Sequence, residues 1–303
     1  MMAMQNRIKS LASAGLVAVL MPAGPSSAAR GTLAGSDFRV RDESTISRTL
    51  RFGGSGERTL DVRAIHGSIR VVGADRSDVQ LEARKTVRAE TDADLRAAER
   101  DVVLDTSDNA ARIEAIVRQP EGDACAEDSG LGHGRWWNPP YVVTVDFTIR
   151  VPRGTRLRLC TVHGREILVE GTTGDFELDN VNGRITMQNV RGSGSARTVN
   201  AAIVASFTEQ PRAASEFRTT NGNVAVTFPA DLAADLRMKT FNGGLFTDFD
   251  VESLPQPAAV AERLNGRFVF RSSAFTLVRA GRGGPELTFE TFNGNVRVLR
   301  AAR

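Results

Sequence analysis

Thr219-Thr220-Asn221-Gly222-Asn223-Val224, Thr240-Phe241-Asn242-Gly243-Gly244-Leu245 and Thr291-Phe292-Asn293-Gly294-Asn295-Val296 are three copies of one phrase. It reads Thr, a residue that is usually apolar, Asn, Gly, a variable residue, then an apolar residue. Looser copies are Val181-Asn182-Gly183-Arg184-Ile185, Thr198-Val199-Asn200-Ala201-Ala202-Ile203 and Leu264-Asn265-Gly266-Arg267-Phe268. His replaces Asn in Ile65-His66-Gly67-Ser68-Ile69 and in Thr161-Val162-His163-Gly164, the latter with one extra residue before Ile167. From His163 to Asn293 the copies lie 19, 18, 21, 21, 23 and 28 residues apart. A period near twenty belongs to a stacked β-array, because helical repeats need thirty or more residues.

The flanks alternate with period 2, as in Phe176-Glu177-Leu178 and Val224-Ala225-Val226, which is the pattern of half-buried strands. Asn-Gly accepts positive φ cheaply, so each copy predicts a corner between two strands. An antiparallel meander and a β-solenoid both fit. Five of the eight copies carry Thr two places before the Asn or His, and such positional identity favours stacking. The expected fold is therefore mainly β: a β-solenoid (β-helix-like) array of short strands with Asn-Gly corners over 155–303. His66, Gly67, His163, Gly164, Asn182, Gly183, Asn221, Gly222, Asn242, Gly243, Asn293 and Gly294 are its structural corners.

The array is preceded by a strand-rich part, 58–154, with one short helix. Thr91 is placed to cap that helix, Asp92 and Asp94 fall in its first turn, and Leu95, Ala98 and Val102 share a face. Residues 29–57, which include Gly53-Gly54-Ser55-Gly56, read as a flexible leader. Residues 1–28 read as a signal peptide: Arg7 and Lys9, an apolar run from Leu11 to Met21, then Ser26-Ser27-Ala28. That run is too short to span a bilayer. Cleavage near Ala28 would send the chain to the periplasm or the exterior, with no transmembrane segment in the mature protein.

The chain's 39 basic and 36 acidic residues leave a net charge of only +3, which argues against nucleic acid as a partner. No phosphate-binding loop, nucleophile elbow or carboxylate pair stands out. The 119–140 loop is unusual: it holds Cys125 and His133, and it ends in Trp136, Trp137 and Tyr141, the only Trp and Tyr residues of the chain. Those three are candidate ligand contacts, although a Trp pair can equally cap the open end of an array. Cys125 and Cys160 are expected to form a disulfide, since export favours oxidation and no other cysteine exists. A zinc site from Cys125, His133, Cys160 and His163 has no standard spacing, so neither a metal nor another cofactor is expected.

The repeated corners, the His66-Gly67-Ser68-Ile69-Arg70-Val71-Val72-Gly73 unit, the helix and the Val151-Pro152 step resemble a known family. It is the bacterial exported β-strand-repeat domain of unknown function, labelled "putative adhesin". The resemblance covers about 58–300 and implies a β-helix-like fold in the cell envelope, with no catalytic residues. Ala201 in place of Gly, the extra residue after His163 and the Cys/Trp loop depart from the pattern. The expected function is non-enzymatic: an envelope protein presenting a stacked surface for adhesion or for protein or glycan contact. The alternatives are a carbohydrate-binding module or a polysaccharide-processing enzyme on a β-helix.

Overall fold

The computed structural model describes residues 38–302 except 55, 121, 123–124, 126–138, 256–259, 265–266 and 272–274. The signal segment 1–28, His133, Trp136 and Trp137 therefore lie outside the described residues. Twenty-three strands and one helix are described. In chain order they are β1 (Val40–Arg51), β2 (Thr59–Ala64), β3 (Ile69–Ala74), β4 (Asp78–Ala89), α1 (Asp92–Asp101), β5 (Val103–Asp108), β6 (Arg112–Arg118) and β7 (Tyr141–Pro152). Next come β8 (Arg156–Thr161), β9 (Glu166–Glu170), β10 (Phe176–Asn180), β11 (Arg184–Val190), β12 (Gly194–Thr198), β13 (Ile203–Phe207), β14 (Ser215–Arg218) and β15 (Val224–Phe228). The last are β16 (Ala234–Asn242), β17 (Leu245–Thr247), β18 (Val251–Ser253), β19 (Val260–Leu264), β20 (Arg267–Arg271), β21 (Thr276–Ala280), β22 (Glu286–Asn293) and β23 (Val296–Arg300).

From β8 to β15 the chain alternates between two large sheets. The second sheet takes β8, β10, β12 and β14, and the first takes β9, β11, β13 and β15. Within each sheet these neighbours pair in parallel, which excludes a meander for this stretch. The register puts like residues in line. Leu159, Leu178, Ala196, Phe217, Phe289 and Met238 form one buried row in the second sheet. Val71, Val169, Met187, Ala205, Val226 and Val298 form a buried row in the first. The Phe217 and Phe289 rings stack at 5.5 Å, and Phe207 and Phe228 at 5.2 Å. Each buried Val, Leu, Met or Phe of these rows contributes about 1.5–3 kcal/mol of transfer free energy, so the rows between the sheets are the main source of cohesion.

Two expectations change, and the structure adds an order of the coils. First, 40–51, expected inside the leader, form β1, which pairs antiparallel with β4 along its full length. Leu50 is buried and Ile46 packs on the core, while charged and hydroxyl residues fill most other positions. That composition suits an edge strand and hides the alternation that would have revealed it. Second, the copy at Leu264–Phe268 is not a coil of the stack. Its flanking strands β19 and β20 pair antiparallel with each other. Arg263 stands where a stacked corner carries Thr. In addition, the chain-terminal coil is not the last in space: β22 lies between β14 and β16, and β23 between β15 and β17.

The corner glycines also serve a different purpose from the expected one. Of the six, only Gly67 (φ 129°) and Gly294 (φ 156°) have positive φ. What all six share is closeness to the next coil. A Cβ at Gly164, Gly183, Gly222, Gly243 or Gly294 would fall 1.9–2.3 Å from the carbonyl oxygen of the adjacent corner, and one at Gly67 would fall 2.0 Å from Val145 O. Glycine is required because two backbones touch. The helix is as expected: Thr91 accepts from the Asp94 amide, and Ala98 is buried.

Candidate functional site

The stacked corners form a continuous polar row on one side of the array. Asn242 Nδ2 donates to Asn293 Oδ1 (2.7 Å), Asn293 to Asn221 (2.8 Å), Asn221 to Asn200 (3.0 Å) and Asn200 to Asn182 (2.8 Å). Asn182 Nδ2 lies 2.9 Å from His163 Nδ1, and the His163 ring stacks on His66 at 4.9 Å. With the row running in this direction, the Asn182 amide nitrogen donates to His163 Nδ1. The proton of a neutral imidazole then sits on Nε2.

A second row fixes the spacing of the first. The Thr two places before each Asn donates its hydroxyl to the corner carbonyl of the neighbouring coil. The pairs are Thr198 to Gly183 (2.8 Å), Thr219 to Ala201 (2.7 Å), Thr291 to Gly222 (2.8 Å), Thr240 to Gly294 (2.8 Å) and Thr161 to Gly67 (3.1 Å). Asn180 substitutes for Thr by donating to Gly164 (3.5 Å). Thr, Asn and Gly of the phrase are thus the hydroxyl clamp, the amide rung and the close contact of one interlock. Nothing in the structure explains how the corner at Ala201 accommodates its methyl group.

The residue between Thr and Asn points outward. Val199 is 40% exposed, Phe292 48% and Phe241 70%, and the rings of Phe241 and Phe292 stack at 4.7 Å. Phe246, 52% exposed, lies on β17 at the same end of the array. The result is an exposed aromatic pair beside a row of exposed amides. Phe241 and Phe292 are 51 residues apart, and only the insertion of the last coil makes them neighbours.

A second feature lies on the outer face of the second sheet. Asp61, Arg158, Glu177, Asp179 and Arg197 line a cavity of about 310 Å³ together with Cys160, Val162, Val181 and Val199. Burial pushes the Asp179 carboxyl up, with Arg197 and Arg158 pulling it back and Glu177 and Glu216 adding to the rise. Cross-strand pairs neutralise much of this face: Arg158–Glu177 at 3.2 Å, Arg197–Glu216 at 2.6 Å and Lys239–Glu290 at 2.9 Å. Sequence reasoning missed the cluster because its members come from different coils. Aligning the copies on their corners would have put Arg158 beside Glu177 and Asp179 beside Arg197.

Cys125 and Cys160 are joined by a disulfide with Cα atoms 6.0 Å apart, beside this cavity. Both sulfurs are therefore withdrawn from the conceivable zinc set. Among the described residues no group of three or more His, Cys, Asp or Glu is arranged to hold a metal ion. Tyr141 is not available for ligand contact. It opens β7 on the inward-facing phase, is 4% exposed, and donates its hydroxyl to Asp101 Oδ2 (2.6 Å) at the end of α1. Trp136 and Trp137 lie outside the described residues. No described helix is long and apolar enough to cross a membrane.

No family model matches the chain, and no curated protein matches it. Several solved structures are similar at low identity. A crystal structure of a "putative cell adhesion protein" from Clostridium sporogenes is 10% identical with a TM-score of 0.40, covering 86% of this chain and 100% of that one. A "putative adhesin" from Bacteroides fragilis is 11% identical with a TM-score of 0.31, covering 85% and 97%. A "putative lipid binding protein" from Parabacteroides distasonis is 7% identical with a TM-score of 0.24, covering 85% and 97%.

Proposed function

We propose that this chain is a non-enzymatic, exported envelope protein. Its two-sheeted β-solenoid presents the corner face, amide row and aromatic end together, to an envelope glycan or protein. The observation that carries the reading is the Phe241–Phe292 stack, largely exposed at 70% and 48%. Large aromatic rings left in water at the end of a rigid array are costly unless something covers them. The amide row beside them offers hydrogen-bonding groups at the ~4.8 Å strand repeat, suited to a long, repetitive partner. Paired charges on the second sheet support a binding role over catalysis, since each Arg–Glu pair satisfies itself.

A second reading, a polysaccharide-processing enzyme, is favoured by the cavity holding Asp179 with its raised carboxyl and the nearby Glu177. A third, a carbohydrate-binding module acting through Trp136 and Trp137, rests on the sequence alone. One experiment separates them. The purified chain is applied to a glycan array and the bound sugars are followed over time. The proposal expects binding without product release, reduced at least tenfold in Phe241→Ser/Phe292→Ser. Product release abolished by Asp179→Asn would establish the enzyme. Binding lost in Trp136→Ala/Trp137→Ala but kept in the Phe variant would establish the module.

A further inference from the structure

The His end of the corner row carries a concentration of positive charge. A cavity of about 640 Å³ is lined by Arg41, Arg88, Arg165, His66 and His163, with Ser68, Thr86 and Thr144 among its polar walls. Asp146 is the one acid of this lining, and one of its carboxylate oxygens accepts from the Ser68 amide at 2.8 Å. Arg41 and Arg88 sit directly opposite each other on the antiparallel strands β1 and β4, a like-charge pairing that costs stability unless something neutralises it. Glu43 takes up part of the charge, lying 3.1 Å from Arg41 and 3.6 Å from Arg84. Among the described residues neither Arg88 nor Arg165 has an ion-pair partner, and both are exposed.

The two imidazoles add to this. They stack at 4.9 Å, and a proton on His66 is opposed by burial and then by its neighbour. With Nδ1 of His163 accepting from Asn182, Nε2–H is the ring's donor. Five donors' worth of side chains with one partly satisfied carboxylate is the composition of an oxyanion receptor. Guanidinium forks match the geometry of sulfate and phosphate oxygens, and a neutral imidazole N–H adds a directed donor.

We propose that this cavity is a binding site for a tetrahedral oxyanion, sulfate or phosphate, either as the inorganic ion or as an ester on a saccharide. Arg88 and Arg165 supply the charge and His66 and His163 supply directed donors. The site lies at the opposite end of the corner row from Phe241 and does not depend on the aromatic end binding anything.

The anion would also offset the penalty on protonating His66. Around His66 the charged and titratable groups of the cavity are His163 and Arg165 from the next coil, Asp146 from β7, Arg88 from β4 and Arg41 from β1, with Glu43 paired to Arg41 and to Arg84. Burial, then His163, holds the His66 imidazole below its ordinary value. A bound dianion raises it, so binding tightens as pH falls.

The test is calorimetric titration of the full chain with sodium sulfate, whose charge is constant between pH 8 and 5.5, alongside sodium phosphate and a sulfated oligosaccharide. The expected result is saturable binding of at least one probe, weakened tenfold or more in Arg88→Ala/Arg165→Ala. Sulfate affinity should rise at least threefold from pH 8 to 5.5, and this rise should vanish in His66→Asn, a substitution that installs the amide used at other corners. Binding of the oligosaccharide alone would assign the ester as the source, and equal binding of the inorganic ions would assign the free ion. Absence of binding by all three probes, or equal binding by the double Arg variant, would overturn the site.

Discussion

Replacing Gly222 by Ala isolates the interlock from every other property of the corner. Its φ lies outside the left-handed region, so an alanine there meets no intrinsic backbone penalty. The new methyl group would lie 2.2 Å from Ala201 O, 2.4 Å from Ala201 C and 2.9 Å from Ala202 N, against 3.4 Å for ordinary contact. The coils must therefore part by about 1 Å (3.4 minus 2.2). Three hydrogen bonds between these two corners resist that movement: Thr219 Oγ1 to Ala201 O (2.7 Å), Asn221 N to Val199 O (2.7 Å) and Asn221 Nδ2 to Asn200 Oδ1 (3.0 Å). Overpacking costs about 1–3 kcal/mol, and weakening one or two of those bonds adds roughly 1–2 kcal/mol. The expected loss is about 2–5 kcal/mol, read as a fall in the urea midpoint and a Tm lower by roughly 5–15 °C. Gly154→Ala is the control, because its nearest heavy atom would be Thr173 Oγ1 at 3.9 Å. Equal midpoints for Gly222→Ala and Gly154→Ala would refute the close-contact explanation of the repeated glycine.

Three further outcomes follow from other parts of the molecule. Asp61 is buried and accepts from Arg63 and Arg112, both of them partly exposed, so Asp61→Asn should cost about 2–3 kcal/mol in chemical unfolding, below the full cost of breaking a deeply buried pair. Loss of the Cys125–Cys160 bridge, which closes a separation of 35 residues, should destabilise by about 4 kcal/mol in the chain-entropy model; a Cys125→Ser/Cys160→Ser protein with an unchanged urea midpoint would count against it. His66 is held below its ordinary value of 6.5 by burial and by His163, so the unfolded chain takes up that proton first. Its contribution to stability is present above about pH 6.5 and is lost as pH falls through the folded value, and His66→Asn should flatten the decline measured between pH 7 and 5.

The repeat phrase made the strands, the corners and their stacking legible because interlocking coils demand the same residue at the same place. It did not reveal why glycine recurs. Asn-Gly is common at positive φ, whereas a backbone contact between coils leaves no local sign. The order of the coils was hidden too, because Asn293 can bond Asn221 and Asn242 with the same groups that any two adjacent corners use. The antiparallel pairing of β19 with β20 was hidden because Leu264–Phe268 carries the same Asn-Gly phrase as the stacked corners. β1 stayed concealed because an edge strand with two inward apolar side chains, Ile46 and Leu50, carries little alternation. At the candidate sites, the aromatic pair and the Arg41–Arg88 opposition arise from pairing between distant segments, and neither shows in local sequence.

The central claim is that the chain-terminal coil is locked between two earlier ones, since that places Phe292 beside Phe241 and completes the amide row. Paired cysteines at corner positions test it directly. Residues 220, 292 and 241 occupy equivalent places on successive coils, with Asn221 bridged to Asn293 and Asn293 paired to Asn242. Adjacent parallel strands lie ~4.8 Å apart, and a disulfide needs Cα atoms within about 7 Å, so next neighbours can be joined and second neighbours cannot. Under mild oxidation Thr220→Cys/Phe292→Cys should cross-link rapidly and Thr220→Cys/Phe241→Cys should not. The opposite pattern would mean that the coils stack in chain order, and the account of the corner face would be wrong.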